Sequence, residues 1–181
     1  SVVFRGYWHN EEATKGAIED GWFHTGDLGS IDDDGYLSIT GRKKEIIVTA
    51  GGKNVAPNQL EDALRADPLV AEAVCVGDGK PFVGVLVTLD EEELKRWKAN
   101  HNIPASKKVS ELAQDPALRA EVQDAVNMAN ATVSRTEAIK KFKVLPGQFT
   151  EETGELTPSL KVKRNVVSQK YADDIAELYA K

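Results

Sequence analysis

Sulfur and histidine are scarce in this sequence: one cysteine, Cys75, one methionine and three histidines among 181 residues. A lone thiol excludes an internal disulfide and a cysteine-built zinc site, and it fits a reducing compartment. An excess of positive charge is also missing. The 23 Lys and Arg face 29 Asp and Glu, a net charge of −6. That balance argues against a general nucleic-acid binder, which needs a dense basic face to neutralise phosphates. Any anion site must therefore be local. No apolar run approaches the roughly 20 residues that span a bilayer. The opening Ser1-Val2-Val3-Phe4-Arg5-Gly6-Tyr7-Trp8 lacks the basic, apolar and small-residue order of a signal peptide. The expectation is a cytoplasmic protein, neither transmembrane nor secreted by that route. A start at Ser1 rather than Met adds the expectation of a piece cut from a longer chain.

What is present is an ordinary soluble composition, 41% hydrophobic and 29% charged. A chain of this length buries about 70% of its unfolded surface and needs no staple. Residues 1–42 are rich in Gly and aromatics, with turn signals at Asp20-Gly21 and Asp34-Gly35. The second lies between Leu28–Ile31 and the alternating run Tyr36–Thr40, which predicts a β-hairpin closed by a tight primed turn. After the charged break Gly41–Glu45 comes a short apolar run, Ile46–Val48. Pro57 opens a helix whose apolar stripe is Leu60, Ala63 and Leu64. Ala73–Val76 and Phe82–Leu89 read as an antiparallel strand pair. Helices follow, one with Leu94, Trp97 and His101 on a face, the next starting at Asp115-Pro116 with Leu118, Val122, Ala125, Val126 and Ala129. A strand over Phe142–Leu145, a loop over Thr150–Ser159 and one final helix marked by Val167, Tyr171, Ile175 and Leu178 complete the chain. The fold class is α+β, with a small sheet and packed helices preceded by a β-hairpin remnant.

Generic motifs fail in informative ways. Gly51-Gly52-Lys53-Asn54 is not a Walker loop, because Ile47 stands where that motif needs Gly and Asn54 where it needs Ser or Thr. Asp32-Asp33-Asp34-Gly35 is not a calcium loop, with Ser30 at the first ligand position and Gly41 in place of the final Glu. Asn130-Ala131-Thr132 fits the glycosylation triplet but lies on a predicted helix. Cys75 reads as a small buried strand residue, Trp97 as packing, and His9, His24 and His101 have no metal-site spacing.

Three segments rise above this background: Gly21-Trp22-Phe23-His24-Thr25-Gly26-Asp27-Leu28, the stretch from Gly41-Arg42-Lys43-Lys44-Glu45 through Gly51-Gly52-Lys53-Asn54-Val55-Ala56-Pro57, and Leu156-Thr157-Pro158-Ser159-Leu160-Lys161-Val162-Lys163-Arg164. Together, and in this order, they resemble the adenylate-forming superfamily, and their wording is similar to long-chain fatty acyl-CoA synthetases. The resemblance covers essentially the whole chain. It implies that residues 1–43 end a large N-terminal adenylation domain and that residues 44–181 are a mobile C-terminal domain. It also implies the substrates ATP, with Mg2+, a fatty acid and CoA. Fatty substrates leave peripheral membrane association open.

The resemblance further assigns roles residue by residue. Asp27 accepts the two ribose hydroxyls of ATP or AMP, a task suited to two carboxylate oxygens. Arg42 contacts the nucleotide with a permanently charged planar donor, and Ile39 lies against it. Lys44 falls at the hinge about which the C-terminal domain swings. Gly51 and Gly52 let backbone approach the pantetheine arm of CoA, since no Cβ intervenes. Lys53 meets nucleotide or CoA phosphate. Lys161 is the catalytic lysine, whose ammonium stabilises charge during adenylate formation. Its placement implies a charged tip on a long flexible loop, able to enter and leave the site. The family's commoner wording puts Ser-Gly before this lysine, whereas Ser159-Leu160 precedes it here, which keeps Lys163 as the alternative. No metal ligand is assigned. Two rival readings carry different chemistry: a non-catalytic binding or interaction module, and an adenylation domain that loads a carrier protein.

Overall fold

The computed structural model describes residues 4–180. The chain divides into two compact units, one ending at Glu45 and one beginning at Ile46.

In the first unit Asn10 accepts the Ala13 amide at 3.0 Å and caps helix α1 (Glu11–Ala17), whose first turn carries Glu11 and Glu12. An acceptor cap and acidic residues at a helix N-terminus satisfy and complement its free N–H groups. This helix is an element that the sequence reading did not predict. Strands β1 (Ile18–Glu19) and β2 (Trp22–Phe23) pair through Asp20 and Gly21, at φ +50° and +81°. Two consecutive positive φ values are the signature of a type I′ hairpin turn. Strands β3 (Asp27–Ile31) and β4 (Leu37–Arg42) pair antiparallel, with Asp27 opposite Arg42. A 3₁₀ turn, Lys43–Glu45, closes the unit.

The second unit opens with a short hairpin of β5 (Ile47–Val48) and β6 (Asn54–Val55). Helix α2 (Pro57–Arg65) follows, then β7 (Val70–Val76) and β8 (Val83–Leu89). Next come α3 (Glu91–Asn100), the single turn α4 (Val109–Leu112), α5 (Pro116–Asn130) and β9 (Ile139–Val144). Asp90 and Asp115 cap α3 and α5, each accepting two first-turn amides. The sheet order is β7-β8-β9, with β7 antiparallel and β9 parallel to β8. The parallel step is made by the α3–α5 crossover, as parallel pairing requires. All seven residues of β8 are buried. Val83, Val85, Val87 and Leu89 point into one core with α2, α3 and α5, while Leu86 points into a second with Leu145, Leu156, Val167 and Leu178. A strand covered on both faces is apolar without alternation, which is why this run reads so plainly.

The predicted final helix is two, α6 (Arg164–Lys170) and α7 (Ala172–Tyr179), broken at Tyr171 with φ −107° and ψ 29°. The Tyr171 hydroxyl donates to Glu155 at 3.0 Å, a tertiary bond that periodicity does not register.

Three loops share one hydrogen-bond pattern. In Asp32–Tyr36, Thr49–Lys53 and Thr157–Lys161 the first N–H donates to the fifth carbonyl, at 3.1, 3.0 and 2.8 Å. The fourth N–H returns to the first carbonyl, at 3.0, 2.8 and 2.8 Å. The first side-chain oxygen accepts the fifth amide, at 2.8, 3.2 and 3.0 Å. The fourth residue is left-handed in each: Gly35 at φ +86°, Gly52 at +76° and Leu160 at +58°. This is the three-residue hairpin loop ending in a left-handed residue. Asp34-Gly35 therefore closes by that loop rather than by the tight primed turn predicted for it. The Asp32 carboxylate is engaged by the Asp34 and Tyr36 amides, which accounts for the acidic run without a cation.

Candidate active site

Asp27 and Arg42, opposite one another in the β3–β4 ladder, meet through Arg42 Nε and Asp27 Oδ1 at 2.9 Å. The Asp27 amide donates to Thr25 Oγ1 at 3.1 Å, and the Lys43 amide to the Gly26 carbonyl at 2.8 Å. Backbone pairing on both sides thus sets the spacing of carboxylate and guanidinium. The Arg42 side chain is 60% exposed and Asp27 25%, so the pair is open to a ligand and contributes less than about 1 kcal/mol to folding. Ile39 is exposed on the same strand as Arg42, and Lys44 lies exposed in the 3₁₀ turn at the unit boundary.

In the second unit Gly51, Gly52 and Lys53 occupy the β5–β6 loop. A Cβ at Gly52 would meet no atom within 4 Å, and one at Gly51 would only graze Thr49 Oγ1 at 4.0 Å. The surface above this turn is thus clear for close approach. The turn rests on another: Ala50 donates to the Lys80 carbonyl and Gly79 to the Val48 carbonyl, both at 2.8 Å, and the Val48 amide donates to Asp78 Oδ1 at 3.1 Å. Lys53 pairs with Glu137 at 3.4 Å. The Ser134 hydroxyl, more than Lys53, holds the Glu137 carboxyl below its ordinary range.

Lys161 is exposed at the end of the Thr157–Lys161 loop, and among the described residues no carboxylate pairs with its ammonium. Its mounting is a hydrogen-bonded hairpin. Leu156 and Val162 form a β-bridge, and the Lys163 amide donates to the Glu155 carbonyl at 2.7 Å. Leu160 takes the left-handed position that glycine occupies in the other two loops, so the departure from the Ser-Gly wording leaves the loop geometry intact.

Two buried carboxylates missed by sequence reasoning stand at the root of this hairpin. Glu155 is fully buried and accepts Lys170 Nζ at 2.6 Å, the Tyr171 hydroxyl and the Thr153 hydroxyl. Burial works against its charge, yet these bonds prevail and hold the carboxyl down to about 2. Burial and the bond to Glu155 push the Tyr171 phenol up to about 12. Glu61, 3% exposed on α2, accepts the Cys75 amide at 2.7 Å and both terminal nitrogens of Arg164. One sequence signal existed: Glu61 falls at helical spacing with the buried Pro57, Leu60 and Leu64.

The second unit, a three-stranded sheet with helices on both faces, has the fold of the C-terminal domain of adenylate-forming enzymes. The chain belongs to the AMP-binding enzyme C-terminal domain family, whose model matches residues 44–181. It is 60% identical over 180 residues to the long-chain-fatty-acid–CoA ligase FadD15 of Mycobacterium tuberculosis, covering 99% of this chain and 30% of that protein. It is 42% identical over 196 residues to the long-chain-fatty-acid–CoA ligase ACSBG2 of Gallus gallus, covering 98% and 26%. Among solved structures, the adenylation domain of a carboxylate reductase from Mycobacterium chelonae matches with a TM-score of 0.79 at 25% identity, over 98% of this chain and 26% of that one. The chain thus spans less than a third of the length of the curated relatives it matches.

Proposed function

We propose that the chain is the C-terminal portion of an ATP-dependent long-chain fatty acid–CoA ligase, with residues 1–43 ending the large N-terminal domain and residues 44–181 forming the mobile C-terminal domain. The observation that carries the reading is the 60% identity to a long-chain-fatty-acid–CoA ligase across 99% of the chain. In the first step a carboxylate oxygen of the fatty acid attacks the α-phosphorus of ATP. The bond to pyrophosphate breaks and acyl-AMP forms. Lys161 supplies an ammonium to the α-phosphate and carboxylate, and the absence of a carboxylate partner among the described residues leaves that charge available. Asp27 holds the ribose hydroxyls, Arg42 the nucleotide, and Ile39 lies against it. In the second step the CoA sulfur attacks the acyl carbon and AMP leaves with the bonding electrons, while the thiol proton passes to solvent. The open surface over Gly51 and Gly52 admits the pantetheine arm, and Lys53 meets phosphate. Lys44, exposed and next to the unit boundary, is the hinge.

Magnesium belongs here with the triphosphate. Among the described residues no group of three or more His, Cys, Asp or Glu side chains is placed to hold a metal. Cytoplasmic location goes with this reading. No helix among the described residues is long and apolar enough to cross a membrane.

A second reading, an adenylation domain that loads a carrier protein, differs in its acceptor, a phosphopantetheinyl protein in place of free CoA. The acceptor decides between them. The test measures acyl-AMP and acyl-CoA formation by the full-length parent enzyme and its Lys161→Ala variant. The variant is expected to lose adenylate formation by about a hundredfold or more and still convert supplied acyl-AMP to acyl-CoA. Unchanged adenylate formation would remove Lys161 from its role and move Lys163 into it. Acyl transfer to a phosphopantetheinyl protein but not to free CoA would establish the second reading.

A further inference from the structure

We infer that Glu61, acting through Arg164, is a positioning residue for the Lys161 hairpin; this rests on the role of Lys161 proposed above. Arg164 follows Lys161 by three residues and begins α6. Its Nη1 lies 2.8 Å from Glu61 Oε1, its Nη2 bonds Glu61 Oε2, and Nη2 also lies 3.5 Å from Asn58 Oδ1. Glu61 Oε1 takes the Cys75 amide of β7 as well. One carboxylate therefore ties the outgoing arm of the hairpin to helix α2 and to the central sheet. The incoming arm is tied at Glu155, whose carbonyl accepts the Lys163 amide, and the Leu156–Val162 bridge joins the two arms.

Stability alone is a poor account of this ion pair. Taking two charges out of water costs about as much as their attraction returns, and apolar replacements of similar volume are often as stable. What a two-pronged guanidinium–carboxylate contact supplies is geometry, since both N–H bonds fix the plane and direction of the side chain. Three residues of extended chain reach about 10 Å. Within that distance only Val162 and Lys163 intervene, and both are held, Val162 by its bridge to Leu156 and Lys163 by its amide on the Glu155 carbonyl. The Lys161 backbone is thus indexed to the sheet through Glu61, and an error at Glu61 becomes an error at the ammonium.

The test uses the full-length enzyme and reads the two half-reactions separately. Glu61→Gln keeps the shape and an acceptor for Cys75 but removes the charge. It is expected to lower kcat for ATP–pyrophosphate exchange by about tenfold to a hundredfold, the cost of a displacement near 1 Å at a reacting group. Transfer from supplied acyl-AMP to CoA stays within about twofold of the parent. In the Lys161→Ala background Glu61→Gln costs nothing more in exchange, because a residue that acts only through Lys161 has nothing left to position. Arg164→Lys keeps the charge and loses the two-pronged contact; the same pattern at smaller magnitude is expected, with an unchanged melting curve. Equal loss in both half-reactions, unchanged exchange, or a further loss in the Lys161→Ala background would each overturn the inference. Unchanged exchange in Lys161→Ala itself would instead bring down the role of Lys161, a different and separately visible failure.

Discussion

Replacing Glu155 by Gln should change the acid stability of the protein in a way that only a buried, charge-bearing hub produces. The Glu155 carboxyl is held at about 2 against an ordinary value of 4.5. A lowered folded-state value stabilises the fold above pH 4.5, and that contribution is lost as pH falls through 2. Holding the carboxyl at about 2 rather than 4.5 corresponds to about 3 kcal/mol at pH 7, of which about 2 kcal/mol is already gone at pH 3. Gln still accepts hydrogen bonds from the Tyr171 and Thr153 hydroxyls but offers no charge to Lys170. Urea unfolding of the parent and of Glu155→Gln at intervals between pH 7 and pH 3 reads the effect directly. The stability gap is expected at about 3 kcal/mol near neutrality, narrowing by about 2 kcal/mol toward pH 3. A gap that does not change with pH would show that Glu155 is not ionised in the fold at these pH values, and the account of the hairpin root would fail with it.

Leu160→Gly removes a left-handed penalty of about 1 kcal/mol but frees the unfolded chain by a similar amount. Thermal unfolding should stay within a few degrees of the parent, whereas Leu160→Val should lower the midpoint clearly. Leu86→Ala, at a fully buried position, should cost about 2–5 kcal/mol in urea unfolding. Asp27→Asn should leave unfolding nearly unchanged, since its partner is solvated, yet raise the KM for ATP in the full-length enzyme; an unchanged KM would take Asp27 out of the nucleotide site.

The parts of the fold legible from sequence are those written in local pattern. Strand β8 is apolar but for Thr88, α5 carries both its Asp115 cap and its stripe, and the α2 stripe follows Pro57. Helix α1 was equally legible in principle, because Asn10 before Glu11 and Glu12 is a capping signal; the surrounding Gly and aromatic residues masked it. The break at Tyr171 has no local cause. It accompanies a hydroxyl bound to Glu155, 16 residues back in sequence. The Glu61–Arg164 contact spans 103 residues, and no periodicity reaches that far. The proposed site residues rest on a resemblance in wording, while what holds Lys161 in place has no trace in those words, because it consists of tertiary partners outside them.

The shared loop geometry connects the two halves of the proposed cycle. Lys53 and Lys161 both occupy the fifth position of the same five-residue hairpin, directly after a left-handed residue and with the amide held by a threonine Oγ1 at the first position. In each case the loop fixes the backbone of the lysine while its long side chain remains at the surface. They differ in what surrounds the ammonium. Lys53 has Glu137 at 3.4 Å, so its charge is partly spent within the domain, and two glycines beside it leave the backbone open. Lys161 has no carboxylate partner among the described residues, and Ser159 and Leu160 flank it in place of glycines. An unpaired cation suits stabilisation of charge at a reacting phosphate, where a competing internal carboxylate would lower the gain. An open turn with a paired cation suits passage of a long neutral arm, where shape matters more than charge. One loop design, varied at the fourth residue and in the acid beside the fifth, thus gives two lysines different surroundings for the two steps proposed for them.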